Sequence, residues 1–193
     1  MSAQTQAVDL VGDETVENLA RAAVFAALTG AFAYVAFPNP ISPTSITLQV
    51  LGVFLAGIYL GPVWGGASLS LYLVAGAAGA PVFLGGSSGI GALLGNTGGF
   101  LWACPVAAAV VGAVVHGTND LRDPSEVHPA RLVVGMTLAT AVIYAMGTVG
   151  AAVVQNLGLY RAFMLYAVPF IPAEAIKMAA AVGIARTDEL NAA

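Results

Sequence analysis

The sequence predicts an all-α polytopic membrane protein with six transmembrane helices and a structured glycine-rich loop between the third and the fourth. Of the 193 residues, 59% are hydrophobic and 8% are charged, whereas a soluble domain carries about 25% charged residues. The mean hydropathy is +0.87, and no charged residue occurs between Arg21 and Asp120. The 23 glycines and the many alanines favour close contacts between helices in lipid. The chain has no room for a separate soluble domain of any size.

The few charged residues limit the classes of partner. The net charge is −4, and the acidic residues are concentrated in an N-terminal tail, in the segment 120–126 and at the C terminus. Acidic water-facing segments argue against nucleic acid as a partner. Cys104 is the single cysteine, so neither a disulfide framework nor a thiolate metal cluster is expected.

The first 18 residues are predicted to be a solvated acidic tail with a possible helix start, and six apolar spans follow it. Proline residues break the chain at 38–45, and the pair Gly61-Pro62 separates the second span from the third. Those two spans are short for full crossings, which suggests tilted helices or helix ends buried in protein. The predicted spans are 19–37, 46–61, 63–79, 100–116, 131–154 and a sixth from near Pro172 to near Arg186.

Residues 80–99 contain too much glycine for a stable helix that faces lipid. Irregular backbone is tolerated beside a membrane where protein covers it or where it lines a wet cavity. We therefore expect a structured loop that caps or lines a pocket. The loop lacks the lysine of a phosphate-binding loop, so a nucleotide site is not expected there.

Two ionisable residues stand in the last apolar span. Glu174 and Lys177 are three residues apart, so on a helix they share roughly one face and can point at one ligand. Pro172 suits the first turn of that helix. Charged groups at membrane depth usually face a cavity and have a function there. The alternative is a structural ion pair that holds helices in register.

The other candidate polar groups have simpler interpretations. His116 and His128 lie twelve residues apart at a membrane edge without a nearby cysteine, and they are interpreted as solvated side chains, with no metal site. Residues 155–168 are predicted to form an interfacial turn and short helix, in which Tyr160, Arg161 and Tyr166 are typical interface anchors.

The basic residues predict an orientation. With six spans and a cytoplasmic N terminus, four arginines face the cytoplasm and only Arg161 faces outward, in agreement with the positive-inside rule. The glycine-rich loop and the start of the sixth helix then both face outward. The cytoplasmic arginines are Arg21, Arg122, Arg131 and Arg186.

The first span carries small residues at four-residue spacing on two neighbouring lines. Ala23, Ala27 and Ala31 form one line, and Ala22, Ala26 and Gly30 form the other. Such a stripe permits the close approach of another backbone. It serves either docking of a partner or packing within the chain.

Three stretches together are typical of one protein family: ITLQVLGVFLAGIYLGP (46–62), LVAGAAGAPVFLGGSSGIGALLGNTGGF (73–100) and PFIPAEAIK (169–177). They resemble the BioY family, the biotin-binding S components of energy-coupling-factor (ECF) transporters. The resemblance implies a six-helix membrane protein that binds biotin with high affinity from outside, without a cofactor. It also implies a transmembrane coupling subunit and two cytoplasmic ATPases as partners, with Ala23, Ala27 and Ala31 as the docking surface.

The resemblance further implies the ligand contacts. Glu174, where the family usually has aspartate, and Lys177 would bind the ureido ring of biotin, and Gln49 matches the glutamine of the family's ITLQ segment. The loop reads GNTGGF where the family usually reads GPTGGY. Further candidates are Ser87 or Ser88, at the position of a family asparagine, Asn96, Thr97, and Arg161 and Tyr166 for the negative tail of the ligand.

Two alternatives remain at this point. An S component for a different vitamin is compatible with the departures at Glu174 and in the loop. An intramembrane enzyme would use Glu174 as a general acid or base, but no serine–histidine or metal constellation accompanies it. The resulting organisation is a cytoplasmic tail (1–18), a six-helix transmembrane substrate-binding domain (19–187) and a second cytoplasmic tail (188–193).

Overall fold

The computed structural model describes residues 12–117 and 121–187, most of which form helices that pack side by side. The helices are α1 (Asp13–Tyr34), α2 (Gln49–Ala77), α3 (Ile90–Leu94), α4 (Gly98–His116), α5 (Pro129–Gln155), α6 (Leu159–Tyr166) and α7 (Ile171–Ala185). Two short strands, β1 (Ala36–Phe37) and β2 (Ile46–Thr47), pair antiparallel between α1 and α2. Within the described ranges, α1, α2, α4, α5 and the run from α6 through α7 are long and apolar enough to cross a membrane. The predicted fold class is confirmed.

Helix α2 consists of two antiparallel spans. Gly61 has φ 73° and ψ −172°, a conformation outside the helical region that glycine adopts without a Cβ clash, and Pro62 follows it. A Cβ atom on Gly65 would lie 3.0 Å from the carbonyl oxygen of Ala56, although residues nine apart in a straight helix are about 14 Å apart. The halves 49–60 and 62–77 therefore pack against each other. With this reversal, the structure has the six predicted transmembrane segments.

Several element boundaries differ from the predicted ones. Helix α1 begins at Asp13, six residues before the predicted span. It ends at Tyr34, because Ala36 and Phe37 pair with β2. The proline-broken segment 38–45 thus closes a hairpin. Of the two predicted tails, residues 1–11 and 188–193 lie outside the described part of the chain.

The first half of α2 forms the centre of the packing. Val53, Phe54 and Ile58 are fully buried there. Helix α1 packs against α2 on one side and α4 packs against it on another, while α5 packs against α4. This arrangement leaves α7 next to α2 and α5, so that the start of α7 faces the interior.

The glycine-rich segment is structured, as predicted. It contains one 3₁₀ turn (Leu84–Gly86) followed by α3. The hydroxyl group of Tyr72 donates a hydrogen bond to the carbonyl oxygen of Val82 over 3.1 Å, and that of Tyr34 donates to Pro81. These bonds attach the loop to α2 and α1.

His116 lies at the end of the bundle where α2 reverses, which we call the closed end. Its Nδ1 accepts a hydrogen bond from the backbone N–H of Arg122 over 2.9 Å. The neutral ring then carries its proton on Nε2, which lies 2.7 Å from the carbonyl oxygen of Ile58. The prediction of a solvated side chain is wrong, because His116 is 1% exposed and its ring lies beside Gly61, where a Cβ atom would be 3.7 Å from the ring. His128 is exposed, and its ring accepts from the N–H of Ala130 at the start of α5.

Candidate functional site

A cavity lies at the opposite end of the bundle, which we call the cavity end. The hairpin 38–45, the glycine-rich segment, the ends of α2, α4, α6 and α7 and the middle of α5 surround it. Its empty volume is about 770 Å³ including its open mouth. The polar side chains that line it are Thr44, Ser45, Thr47, Gln49, Ser87, Thr97, Tyr144, Tyr166, Glu174 and Lys177.

The charged pair predicted from the sequence lies in the wall of this cavity. A 3₁₀ turn (Val168–Phe170) and Pro172 start α7, so that Glu174 stands in its first turn, where the helix dipole favours a negative charge. The Nζ atom of Lys177 lies 2.7 Å from Oε1 of Glu174, and both residues are 4% exposed. The pair is thus buried, and it lies beside open space rather than inside a packed core.

Some donors and acceptors at the pair have no hydrogen-bond partner among the described residues. The Oε2 atom of Glu174 and the hydroxyl group of Tyr144 are buried, and neither has a hydrogen-bond partner among the residues described. The ammonium group of Lys177 has three donors, and its one hydrogen bond within that part of the chain goes to Glu174. A buried polar atom without a partner costs about 1–3 kcal/mol. The site therefore suits a ligand that supplies a donor to Oε2 and an acceptor to Lys177.

Aromatic rings form the apolar walls, and glycines make room for them. A Cβ atom on Gly76 would lie 2.1 Å from the ring of Phe83, and one on Gly147 would lie 2.2 Å from the ring of Phe100. Both rings line the cavity. Such walls suit the apolar ring of a small ligand whose polar groups face Glu174 and Lys177.

The structure brings six of the nine predicted ligand-binding residues to the cavity. These six are Gln49, Ser87, Thr97, Tyr166, Glu174 and Lys177. Ser88, Asn96 and Arg161 are exposed and are not among the lining residues. The hydroxyl oxygen of Tyr166 accepts a hydrogen bond from Nε2 of Gln155 over 2.6 Å, which holds the ring in the wall.

Sequence reasoning missed Tyr144 and the hydroxyl groups of Thr44, Ser45 and Thr47. A signal for Tyr144 was available, because it stands eleven residues before the end of α5, far from the membrane edge where tyrosines are usual. The threonines and the serine gave no such signal, because hydroxyl groups are common in hairpin loops.

The two lines of small residues on α1 face different surroundings. Ala22 and Ala26 are buried, and a Cβ atom on Gly30 would lie 3.1 Å from Val82. Ala23, Ala27 and Ala31 are exposed. The first line serves packing within the chain, and the second leaves a smooth outer face of α1.

Comparison with known proteins identifies the relatives of the chain. The profile of the BioY family matches residues 3–191. A probable biotin transporter BioY of Pyrococcus horikoshii is 37% identical over 163 residues, which are 84% of this chain and 90% of the relative. A biotin transporter BioY of Rhodobacter capsulatus is 36% identical over 183 residues, 88% of this chain and 92% of that protein.

Solved structures show the same fold. The S component for biotin from an ECF-type ABC transporter superposes with a TM-score of 0.80 at 24% identity, covering 92% of this chain and 93% of that one. The S component of a bacterial ECF transporter gives a TM-score of 0.51 at 16% identity, covering 89% of this chain and 92% of that one.

Proposed function

This chain belongs to the BioY family, and on that premise we propose that it is the high-affinity biotin-binding membrane subunit of an ECF-type transporter. The observation that carries the proposal is the buried Glu174–Lys177 pair, whose Oε2 atom has no partner among the described residues, in the wall of a cavity. The relatives that are 36–37% identical over most of their length are named as biotin transporters. The protein binds and carries biotin and does not transform it.

The ureido ring of biotin has the complementary chemistry for the pair. Each ring N–H is a donor, and one of them would donate to Oε2 of Glu174. The ureido oxygen would accept from the remaining protons of Lys177 and from the hydroxyl group of Tyr144. Hydrogen bonds to charged groups are stronger than those between neutral groups, so this pair would supply most of the specificity.

The rest of the ligand fits the remainder of the cavity. The sulfur-containing ring is apolar, and it would lie between Phe83 and Phe100. The negative tail would reach the mouth, where Ser87 is exposed and Thr44 and Ser45 are partly exposed. Their hydroxyl groups can donate to a carboxylate. Ser88, Asn96 and Arg161, outside the lining, have no assigned contact in this proposal.

The transport cycle requires partner subunits. The exposed line Ala23, Ala27 and Ala31 would dock the transmembrane coupling subunit, because small side chains allow helices to approach closely in lipid. Two ATPases on the coupling subunit would supply the energy that reorients the loaded protein.

In the proposed orientation the cavity end faces outward. The closed end, both termini and the tails 1–18 and 188–193 then face the cytoplasm, with Arg21, Arg122, Arg131 and Arg186. Biotin would enter past the hairpin 38–45 and the glycine-rich segment.

The test is calorimetric titration of biotin into the purified protein and into Lys177→Met. We expect one-to-one binding by the natural protein and a loss of affinity of roughly 30-fold or more in the variant, because truncating one partner of a buried charged pair costs about 2–5 kcal/mol. The matched control is Arg21→Met, which breaks the exposed Glu17–Arg21 pair of 2.6 Å and should bind biotin normally. Absence of binding by the folded natural protein would contradict the proposed ligand.

Docking is tested by co-purification with the coupling subunit and the ATPases. Ala27→Phe should lose the partner subunits while it keeps biotin binding, since the bulky ring prevents close approach. Val153→Phe, at a 72% exposed position on α5, is the control and should retain them. Equal co-purification of both variants would show that this line is not the docking surface.

A further inference from the structure

The mouth of the cavity differs in chemistry from its deep end. Lys177 is the one basic side chain among the described residues that line the cavity, and both it and Glu174 are 4% exposed. Thr44 and Ser45 are partly exposed, and Ser87 is exposed. The charged pair therefore lies at the deep end, and neutral hydroxyl groups surround the mouth.

The other basic residues of the chain lie away from the mouth. All six Lys and Arg residues belong to the part of the chain that the structure describes. Arg21 is paired near the start of α1, and Arg122 and Arg131 contact the end of α4 at the closed end. Arg186 follows α7, about 18 Å along the helix from the first turn. Only Arg161 then remains as a basic partner for a ligand at the mouth.

Arg161 stands on an outward face of α6. Ala162 and Tyr166 are buried, so they mark the inward face of this helix. Around the helix axis, Arg161 is about 100° from Ala162 and about 140° from Tyr166. It is exposed and is not among the residues that line the cavity. A negative group at the mouth therefore has no basic side chain beside it.

The hydroxyl groups at the mouth do not require a charged ligand group. A hydroxyl group can both donate and accept hydrogen bonds. That of Ser87 donates to the carbonyl oxygen of Leu84 over 2.9 Å, and its oxygen can still accept. A carboxylate can only accept, whereas a carboxamide accepts through its oxygen and donates through its nitrogen. The mouth therefore suits a carboxamide as well as a carboxylate.

We infer that the cavity selects its ligand by the ureido ring and not by the negative tail, so that neutral carboxamides of biotin form a second class of ligand. Conjugates whose added group is joined through the amide belong to this class, because that group would extend through the open mouth into water. The inference rests on the proposed function, since it assumes that the ureido ring occupies the deep end.

The test is calorimetric titration of the purified full chain with biotin, with its primary amide and with its amide to the side-chain amino group of lysine. We expect both amides to bind within about tenfold of biotin, because the change replaces a charged hydrogen-bond acceptor by a neutral one and breaks no ion pair. Lys177→Met should weaken biotin and the primary amide by the same factor, since the two ligands share the deep contact.

Two variants at the cavity end sharpen this test. Arg161→Gln should leave the ratio of the two affinities unchanged. Ser87→Arg adds a positive charge at the mouth and should strengthen binding of biotin about threefold without strengthening that of the primary amide, as expected for an exposed ion pair. If Ser87→Arg does not fold, the ratio in Arg161→Gln and in the natural protein decides the matter.

The outcomes separate this inference from the proposed function. Tight binding of biotin with a loss of more than tenfold for the primary amide would overturn the inference alone. A fall in biotin affinity in Arg161→Gln, without a fall for the amide, would also overturn it, because the arginine would then hold the tail. Absence of biotin binding by the folded natural protein would contradict both.

Discussion

The two ends of the bundle both bury polar side chains, but they differ in how those side chains are satisfied. At the closed end, both ring nitrogens of His116 have backbone partners, at 2.7 and 2.9 Å. At the cavity end, Oε2 of Glu174 and the hydroxyl group of Tyr144 have none among the described residues. Because an unsatisfied buried group costs free energy, the closed end is complete in the free protein and the cavity end is completed by its ligand.

This difference separates structural from functional burial. Burial alone does not distinguish His116 from Glu174 and Lys177, because ionisable side chains of all three types are rarely buried to this extent. The count of unused donors and acceptors distinguishes them. Substitutions at the closed end should change the free energy of unfolding, whereas those at the cavity end should change biotin affinity.

The largest expected effect is that of Glu174→Gln. The amide oxygen still accepts a hydrogen bond from Lys177. The amide NH₂ group replaces Oε2, so a donor faces the N–H group of the ligand and the hydrogen bond that Oε2 would accept is lost. We expect biotin affinity to fall roughly 30-fold or more, measured by calorimetry. Glu174→Asp keeps the charge and should lose less. Wild-type affinity in Glu174→Gln would refute the assigned role of the carboxylate.

His116→Phe should have the next largest effect, on stability. The substitution leaves the carbonyl group of Ile58 and the N–H of Arg122 without partners, which lowers the free energy of unfolding by about 2–4 kcal/mol. Biotin affinity should be unchanged, so biotin at 100 times its dissociation constant should still stabilise the variant by about 2.7 kcal/mol. Equilibrium unfolding in mixed micelles with and without biotin measures both. A fall in affinity would mean that the two ends are coupled.

Tyr144→Phe should have a smaller effect, and it should lower biotin affinity rather than stability. It removes a buried hydroxyl group that has no partner among the described residues, so the free protein should be at least as stable as before. Biotin affinity should fall about fivefold to tenfold, the value of about one hydrogen bond. Calorimetry and unfolding of the same preparation measure the two quantities. Lower stability with unchanged affinity would assign the hydroxyl group to the fold.

The smallest expected effects on biotin affinity concern two neighbouring residues of the glycine-rich segment, Thr97 and Asn96. Thr97→Val removes a hydroxyl group that lines the cavity, and it should weaken biotin binding about threefold. Asn96→Ala changes an exposed side chain outside the lining, and it should alter affinity by less than about twofold. Parallel titrations measure the ratio. The opposite order would show that the segment rearranges when the ligand binds.

Much of the fold was predictable because membrane insertion depends on local sequence. Apolar spans separated by proline-rich, glycine-rich and charged segments predicted the six crossings, and the pair Gly61-Pro62 predicted the reversal within α2. The first span was predicted to begin at residue 19, whereas α1 begins at Asp13, within the segment 1–18 that was predicted as a solvated tail with a possible helix start. Acidic residues are compatible with the first turns of a helix, so composition alone does not locate such a boundary.

The candidate site was predictable only in part. Glu174 and Lys177 were found because a charge in an apolar span is rare whatever surrounds it. Ser88 was selected with Ser87 because the resemblance places a family asparagine at one of the two, and Asn96 because it stands where the family usually has proline. Neighbours in a loop point in different directions, so these two side chains lie outside the cavity lining. Tyr144 was missed because its importance depends on α5 meeting the start of α7.

The sequence by itself determined the number of crossings, the location of the charged pair and the small faces of α1, because hydrophobic transfer and helical spacing act within each segment. The tertiary structure alone decided which line of small residues on α1 is buried and which loop side chains reach the cavity. It also decided which buried polar atoms lack a hydrogen-bond partner among the described residues. Those properties depend on the distances between side chains of different segments, and only packing sets those distances.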